Sequence, residues 1–148
     1  MTRTIVSRQI SAPAATVFDT VAHIENFSKA VPGIVNIEFL TESRTGVGTK
    51  FKETRVMKGR EATVELEVTE YEPNQRIRIV SDTHGTVWDT VFTVAESAGQ
   101  TQLEMVMDAN AYKLLSKLMN PLIKGMIQKA IEGDMDAVKA YCESSAAP

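Results

Sequence analysis

The sequence predicts an α+β fold in which a seven-stranded, curved antiparallel sheet wraps around a long C-terminal helix. The first observation is a helical spacing of apolar residues from about Pro121 to Glu143. The second is an alternation of apolar and polar residues from Ile34 to Ala109, which is typical of strands. The third is the shortness of the connections between the alternating runs, which indicates an antiparallel meander.

The N-terminal segment predicts one strand followed by two short helices. Residues Thr4 to Ile10 form the strand. Ser11 can cap the first helix, and Pro13 suits its first turn. The second helix spans Ile24 to Ala30 and ends there, because Pro32 cannot continue a helix and disfavours one just before it.

Six further strands follow, each separated from the next by residues that favour turns. The turn signals are Thr45-Gly46, Lys58-Gly59, Glu72-Pro73-Asn74, His84-Gly85 and Ala98-Gly99. One side of each run is apolar and the other is charged, so we expect only one side of the sheet to be buried.

The C-terminal helix is too long to bury its own apolar stripe. At 1.5 Å per residue, a helix of about 22 residues measures roughly 33 Å. Asn120 can cap it, and we expect a short separate helix before Asn120. The sheet must therefore cover the long helix, and the space between them is either filled by side chains or left as a cavity.

Composition narrows the class of protein and of partner. The 148 residues favour one domain, 1–148, with a frayed tail from about residue 144. A net charge of −3 argues against nucleic acid as the main partner. No run approaches the ~18 apolar residues of a membrane span. The N-terminus lacks an apolar signal core, so we expect a cytoplasmic protein without stable membrane insertion.

No cofactor or metal motif is recognisable. Gly46-Val47-Gly48 would need a third glycine at position 51, where Phe51 stands, and a strand follows where a dinucleotide site needs a helix. No His, Cys and carboxylate cluster has the spacing of metal ligands. The single Cys142 is interpreted as a packing or surface residue without a chemical role. We therefore expect no cofactor and no metal.

Polar residues on the strand after Gly48 are the candidates for chemistry. If Phe51 faces inward, the period of two takes Glu53 and Arg55 inward as well. A buried carboxylate and guanidinium would have to pair or meet a ligand, because an isolated buried charge is costly. The alternative is that this strand is an exposed edge, or contains a bulge, which would leave both side chains in water. Tyr112 is a further candidate, since its polar tip could contact a ligand.

Several segments resemble the START-like superfamily, specifically the small bacterial polyketide cyclase/dehydrase-like proteins, which share the helix-grip fold of the birch-pollen allergen family. They are Ile10 to Phe27, Val31 to Leu40, Gly46 to Phe51, Tyr71 to Ile77 and the final helix. One departure is that Ala30 and Val31 stand where such proteins often have a tryptophan before the proline-glycine pair. The resemblance implies an internal apolar cavity. Members bind lipids, sterols, polyketides or plant hormones, and a minority catalyse cyclisation or dehydration.

Two functions from different classes follow, and the oligomeric state is left open. The first is binding of a small hydrophobic molecule, lipid-, sterol- or polyketide-like, between sheet and helix. The alternative is an aromatase/cyclase or dehydratase, with Glu53, Arg55 and Tyr112 as candidate catalytic groups. A third, an accessory protein acting through a partner, is neither favoured nor excluded. The expected cavity residues are Phe39, Phe51, Leu66, Ile79, Trp88, Phe92, Met105, Met107, Met119, Ile123, Met126 and Ile127.

Overall fold

The computed structural model describes residues 2–113, 121–144 and 147. Within these residues one strand and two short helices are followed by six strands and a long helix. The elements are β1 (Thr2–Ile10), α1 (Ala14–Ala22), α2 (Ile24–Ala30), β2 (Ile34–Phe39), β3 (Lys50–Met57), β4 (Arg60–Glu72), β5 (Arg76–Thr83), β6 (Thr86–Ser97), β7 (Gln100–Ala111) and α3 (Pro121–Cys142).

All seven strands form one antiparallel sheet. Their spatial order is β1-β7-β6-β5-β4-β3-β2, so β1 and β2 are the edges. The register shifts between Ile34 and Asn36 on β2 and between Val68 and Glu70 on β4. Such bulges bend strands and increase their twist, which helps the sheet to curve around α3. The predicted fold class, a curved seven-stranded sheet that holds a long C-terminal helix, is confirmed.

Three of the predicted turns are two-residue hairpin loops with positive φ at both central residues. They are Lys58-Gly59 (52° and 78°), His84-Gly85 (52° and 84°) and Ala98-Gly99 (52° and 78°). This geometry matches the right-handed twist of the flanking strands, and it places glycine where a side chain would be strained. The turn signals in the sequence therefore correspond to tight hairpins.

The core lies between the sheet and the C-terminal half of α3. Ile131, Met135, Val138 and Cys142 are all buried, and their spacing of four, three and four residues puts them on one face of the helix. Two side-chain hydrogen bonds join the C-terminal half of α3 to β1. Arg8 Nε donates to Asp136 Oδ1 at 2.7 Å, and Lys139 Nζ donates to the Gln9 carbonyl at 2.6 Å.

The N-terminal half of α3 is much less buried. Ile123 is 41% exposed and Met126 is 51% exposed, although both are large apolar residues. Packing of the helix on the sheet is therefore close at one end and open at the other. No helix within the described ranges combines the length and apolar content needed to span a bilayer.

The predicted cap of α1 is wrong. The residue that precedes the helix is Pro13, and Ser11 lies too far upstream for its hydroxyl to cap. Instead, the Ala14 N–H donates to Glu96 Oε1 of β6 at 2.6 Å, so a carboxylate from another element satisfies the helix end. The expected cap by Asn120 and the short helix before it lie outside the described residues.

Candidate functional site

A cavity of about 490 Å³ lies between the concave face of the sheet and the open half of α3. Small-molecule sites in proteins typically enclose about 300–1,000 Å³, so this space is large enough for a ligand. Met57, Ile123 and Met126 line the cavity and are also exposed, by 52%, 41% and 51%. They mark its mouth, between the β3–β4 hairpin and the start of α3.

Strand alternation explains most of the lining. Side chains two residues apart share a face of the sheet, and each strand contributes such a set. The sets are Phe51, Glu53, Arg55 and Met57 of β3; Val64 and Leu66 of β4; Ile79, Ser81 and Thr83 of β5; Trp88, Thr90 and Phe92 of β6; and Met105 and Met107 of β7. The helices close the other side with Val21, Ala22, Ile24, Phe27, Ile123, Met126, Ile127, Ala130, Ile131 and Asp134.

Glu53, Arg55 and Asp134 form a charged cluster in this otherwise mostly apolar wall. Arg55 Nε donates to Glu53 Oε1 at 3.0 Å. Arg55 Nη1 donates to Asp134 Oδ1 at 3.1 Å and Oδ2 at 2.8 Å. The side chains of Glu53, Arg55 and Asp134 are only 11%, 22% and 20% exposed. The cluster therefore joins β3 to α3 in a largely desolvated place.

Burial dominates the protonation of both acids in the charged cluster. It raises the pKa of Glu53 above its ordinary value, although the charge and hydrogen bond of Arg55 act to lower it. Burial likewise raises the pKa of Asp134 against the same opposing effects of Arg55. For Arg55 itself, burial acts to lower the pKa, but Asp134 and Glu53 raise it, so the guanidinium stays charged.

Hydroxyl groups provide the other polar part of the wall. Ser81 Oγ lies 2.8 Å from Thr83 Oγ1, and Thr90 lies on the neighbouring strand β6. Two strand spacings of about 4.8 Å separate β5 from β3, so the backbone that carries these hydroxyls is roughly 10 Å from the β3 backbone that carries Glu53 and Arg55. A bound molecule could thus meet polar groups at two separate places.

The charged cluster has no features of a metal site. In residues 2–113, 121–144 and 147, no group of three or more His, Cys, Asp or Glu side chains is arranged to hold a metal ion. The oxygens of Glu53 and Asp134 instead share one guanidinium, which is the geometry of an ion pair.

Comparison with known proteins identifies the family. The family described as polyketide cyclase/dehydrase and lipid transport matches residues 1–143. The chain belongs to this family. No curated protein sequence matches it at a significant level.

Solved structures with the same fold have low sequence identity to this family member. A START superfamily protein from Mycobacterium smegmatis has a TM-score of 0.78 and 16% identity, covering 95% of this chain and 97% of that one. Ara h 8.0201 has a TM-score of 0.77 and 14% identity, with coverage of 95% and 97%. The di-domain ARO/CYC BexL from the BE-7585A biosynthetic pathway has a TM-score of 0.73 and 18% identity, covering 98% of this chain and 50% of that one.

The resemblance seen in the sequence is therefore confirmed, and family and fold together indicate a START-like, polyketide cyclase-like domain for hydrophobic ligands. At these identities the solved structures establish the fold alone. The ligand and any activity have to be inferred from the cavity of this chain.

Most of the expected cavity residues lie in its wall. They are Phe51, Leu66, Ile79, Trp88, Phe92, Met105, Met107, Ile123, Met126 and Ile127. Met119 lies outside the described residues. Phe39 is a correction, because it does not line the cavity. It lies on the edge strand β2, where it pairs with the cavity residue Phe51 of β3, and the two ring centroids are 6.3 Å apart. The Arg44 guanidinium lies over the Phe39 ring, 4.8 Å from its centroid.

The three candidate catalytic residues have different locations. Glu53 and Arg55 lie in the wall, because β3 is an interior strand and the bulge of this region is on β2. The expectation that Tyr112 lies in the cavity wall is wrong, because it is not among the lining residues. It follows the end of β7, is 53% exposed, and its hydroxyl donates to Asp82 Oδ1 at 2.8 Å.

Sequence reasoning missed Asp134, the third member of the charged cluster. A usable signal existed, since Asp134 follows Ile131 by three residues and Ile127 by seven, which places all of them on one helix face. It also missed Val21, Ala22, Ile24 and Phe27 of the first two helices, which close the cavity. Their apolar spacing was evident, but the sequence did not show which surface they cover.

Proposed function

We propose that this family member binds one small, mostly apolar molecule in the cavity between the sheet and α3. The observation that carries the proposal is the combination of about 490 Å³ of space with a wall that is apolar except for the charged cluster and a few hydroxyls. Protein interiors are normally packed as densely as organic crystals, so side chains around a space of this size lack partners. An apolar ligand would supply those contacts.

The arrangement of the wall suits an amphipathic molecule. Phe92, Met105 and Ile127 offer apolar surface to the body of a ligand, while Glu53 and Arg55 offer hydrogen bonds to a polar group. The exposed Met57 and Met126 at the mouth give an apolar route into the cavity. Methionine side chains adapt to ligands of different shape, which suits a site of this kind.

A pair of matched substitutions on α3 tests the proposal. Ala130 lines the cavity, whereas Ala140 is exposed on the same helix. We expect Ala130→Phe to fill part of the cavity and to weaken binding of an environment-sensitive apolar dye by about tenfold or more, which corresponds to about 1.4 kcal/mol. Ala140→Phe should leave dye binding unchanged. Equal dye affinity in both variants and the parent protein would contradict the proposal, as would failure of the dye to bind.

Catalysis on a polyketide-like substrate, as in an aromatase/cyclase or dehydratase, is the second candidate function. The observation that favours it is a largely buried acid, Glu53, whose pKa burial raises and which lines the cavity beside Arg55. A carboxyl of this kind can exchange a proton with a bound substrate, and the guanidinium can polarise a carbonyl. Glu53→Gln should then abolish turnover of a polyketide-like substrate while ligand binding persists. Unchanged turnover in Glu53→Gln would eliminate this candidate.

A further inference from the structure

We propose that the cavity selects an apolar molecule that carries one basic nitrogen, which binds as a cation beside Glu53 and Asp134. The inference rests on the proposed binding function and adds the chemical class of the ligand.

The charge of the cavity wall is unbalanced. Among the lining residues that the structure describes, the charged ones are Glu53, Arg55 and Asp134, and the rest are apolar or carry hydroxyls. When both acids are ionised, two carboxylates in the described part of the wall face one guanidinium, which leaves a formal excess of one negative charge. Because these side chains are 11% to 22% exposed, water screens that excess poorly.

An acceptor in the cluster is left for a ligand. Arg55 contacts Glu53 only at Oε1, while it contacts Asp134 at both oxygens. In the described part of the chain, the second oxygen of Glu53 has no hydrogen-bond donor. A protonated amine next to this oxygen would form a charge-assisted hydrogen bond and would remove the excess negative charge.

The direction of the pKa shifts of Glu53 and Asp134 agrees with a shortage of positive charge in the cluster. Burial raises the pKa of Glu53 and of Asp134 even though Arg55 acts in the opposite direction on both. The effect of one guanidinium is thus smaller than the effect of burial on the pKa of both acids. A second cation, supplied by the ligand, would stabilise both.

Three head groups on one apolar chain should consequently bind with different affinity. An ammonium group is attracted by two carboxylates and repelled by one guanidinium, so its net interaction is favourable. A carboxylate head group experiences the reverse, since its attraction to Arg55 is outweighed by repulsion from Glu53 and Asp134. A hydroxyl head group has no net charge and should bind with intermediate affinity. At an effective dielectric constant near 20, such a difference in net electrostatic interaction amounts to on the order of tenfold or more in affinity.

Displacement of an apolar dye by dodecylamine, dodecanol and dodecanoate tests this order, at neutral pH and at concentrations below micelle formation of the two ions and below the solubility limit of dodecanol. We expect dodecylamine to bind at least about tenfold more tightly than dodecanol, and dodecanoate more weakly than both. Glu53→Gln and Asp134→Asn should reduce the preference for the amine while dodecanol still binds. The matched control is Asp136→Asn, which removes the same charge from α3 but outside the cavity, where Asp136 is 65% exposed and pairs with Arg8.

The outcomes separate this inference from the proposed function. If dodecanol binds and dodecylamine binds no better, or if the preference survives unchanged in Glu53→Gln, the charge inference is wrong and the binding function stands. A preference that falls equally in Asp136→Asn also overturns it, because a general surface effect would then explain the data. If the dye itself does not bind, so that no displacement can be observed, the binding function fails.

Discussion

Removal of Arg55 from the charged cluster is the sharpest test of its electrostatics. Arg55→Met keeps a long side chain in the wall but leaves the carboxyl groups of Glu53 and Asp134 without a cation. Because the side chains of these acids are only 11% and 20% exposed, solvent cannot replace the guanidinium. Loss of one partner from a buried ion pair costs about 3–5 kcal/mol of unfolding free energy. The residual exposure of the cluster favours the lower end, about 3 kcal/mol.

The destabilisation should depend on pH in a defined direction. In the parent protein burial already raises the pKa of Glu53 above 4.5 and that of Asp134 above 3.8, and Arg55 opposes both shifts. Without Arg55 both values rise further. A carboxyl whose pKa is higher in the folded than in the unfolded state favours folding below the unfolded value, and this advantage is lost as pH rises through the folded value. The deficit of Arg55→Met should therefore be largest at neutral pH and shrink towards pH 4.5 and below.

Urea denaturation of the parent and Arg55→Met proteins at neutral and mildly acidic pH measures the effect. Arg8→Met is the control, because it breaks a more exposed ion pair between β1 and α3, in which Asp136 is 65% exposed. That pair should contribute less than about 1 kcal/mol. The reasoning is refuted if Arg55→Met costs no more than Arg8→Met, or if its cost is the same at both pH values.

Three further predictions concern packing, capping and thiol reactivity. Met135→Ala should lower the unfolding free energy by about 2–5 kcal/mol, because Met135 is 1% exposed. Met126→Ala at the exposed cavity mouth should lower it far less. Equal losses of unfolding free energy in urea denaturation would contradict this. Glu96→Ala removes the acceptor of the Ala14 N–H and should cost about 0.5–2 kcal/mol, so an unchanged midpoint would argue against this cap. Cys142 is buried, and burial raises the pKa of its thiol. The thiol should therefore react with a disulfide reagent at least about tenfold more slowly in the native than in the denatured protein. Similar reaction rates in the two states would be inconsistent with this burial.

The fold could be predicted from the sequence because local patterns specify it. A sheet with one buried face favours alternation of apolar and polar residues, and the segment from Ala62 to Thr69 follows it without interruption. The hairpins were equally evident, since pairs such as His84-Gly85 adopt the positive φ values that tight turns require. The same alternation placed Glu53 on the face of Phe51. The alternation did not show whether β3 is an edge strand of the sheet, because the spatial order of strands depends on contacts between distant parts of the chain.

What could not be predicted depends on contacts between distant elements. Asp134 is 79 residues from Arg55 along the chain, and their pairing requires α3 to cross the sheet at β3. Glu96 is 82 residues from Ala14, and its carboxylate accepts the hydrogen bond from the Ala14 N–H. Tyr112 carried a plausible side chain for a cavity wall, but it follows the end of β7, where the chain has left the concave face. Each case was decided by how elements pack, which residue periodicity does not encode.

Ligand binding and stability are two explanations for the charged cluster, and one combined variant separates them. Replacing a buried ion cluster by well-packed apolar residues of similar volume is often neutral or stabilising by about 1–4 kcal/mol, since no charge is then desolvated. Glu53→Leu, Arg55→Met and Asp134→Leu together should thus recover the stability that Arg55→Met alone loses. The same protein should have lost its discrimination between dodecylamine and dodecanoate while it still binds dodecanol. If it instead unfolds as readily as Arg55→Met, the cluster holds α3 on β3, and its presence in the cavity needs no ligand to explain it.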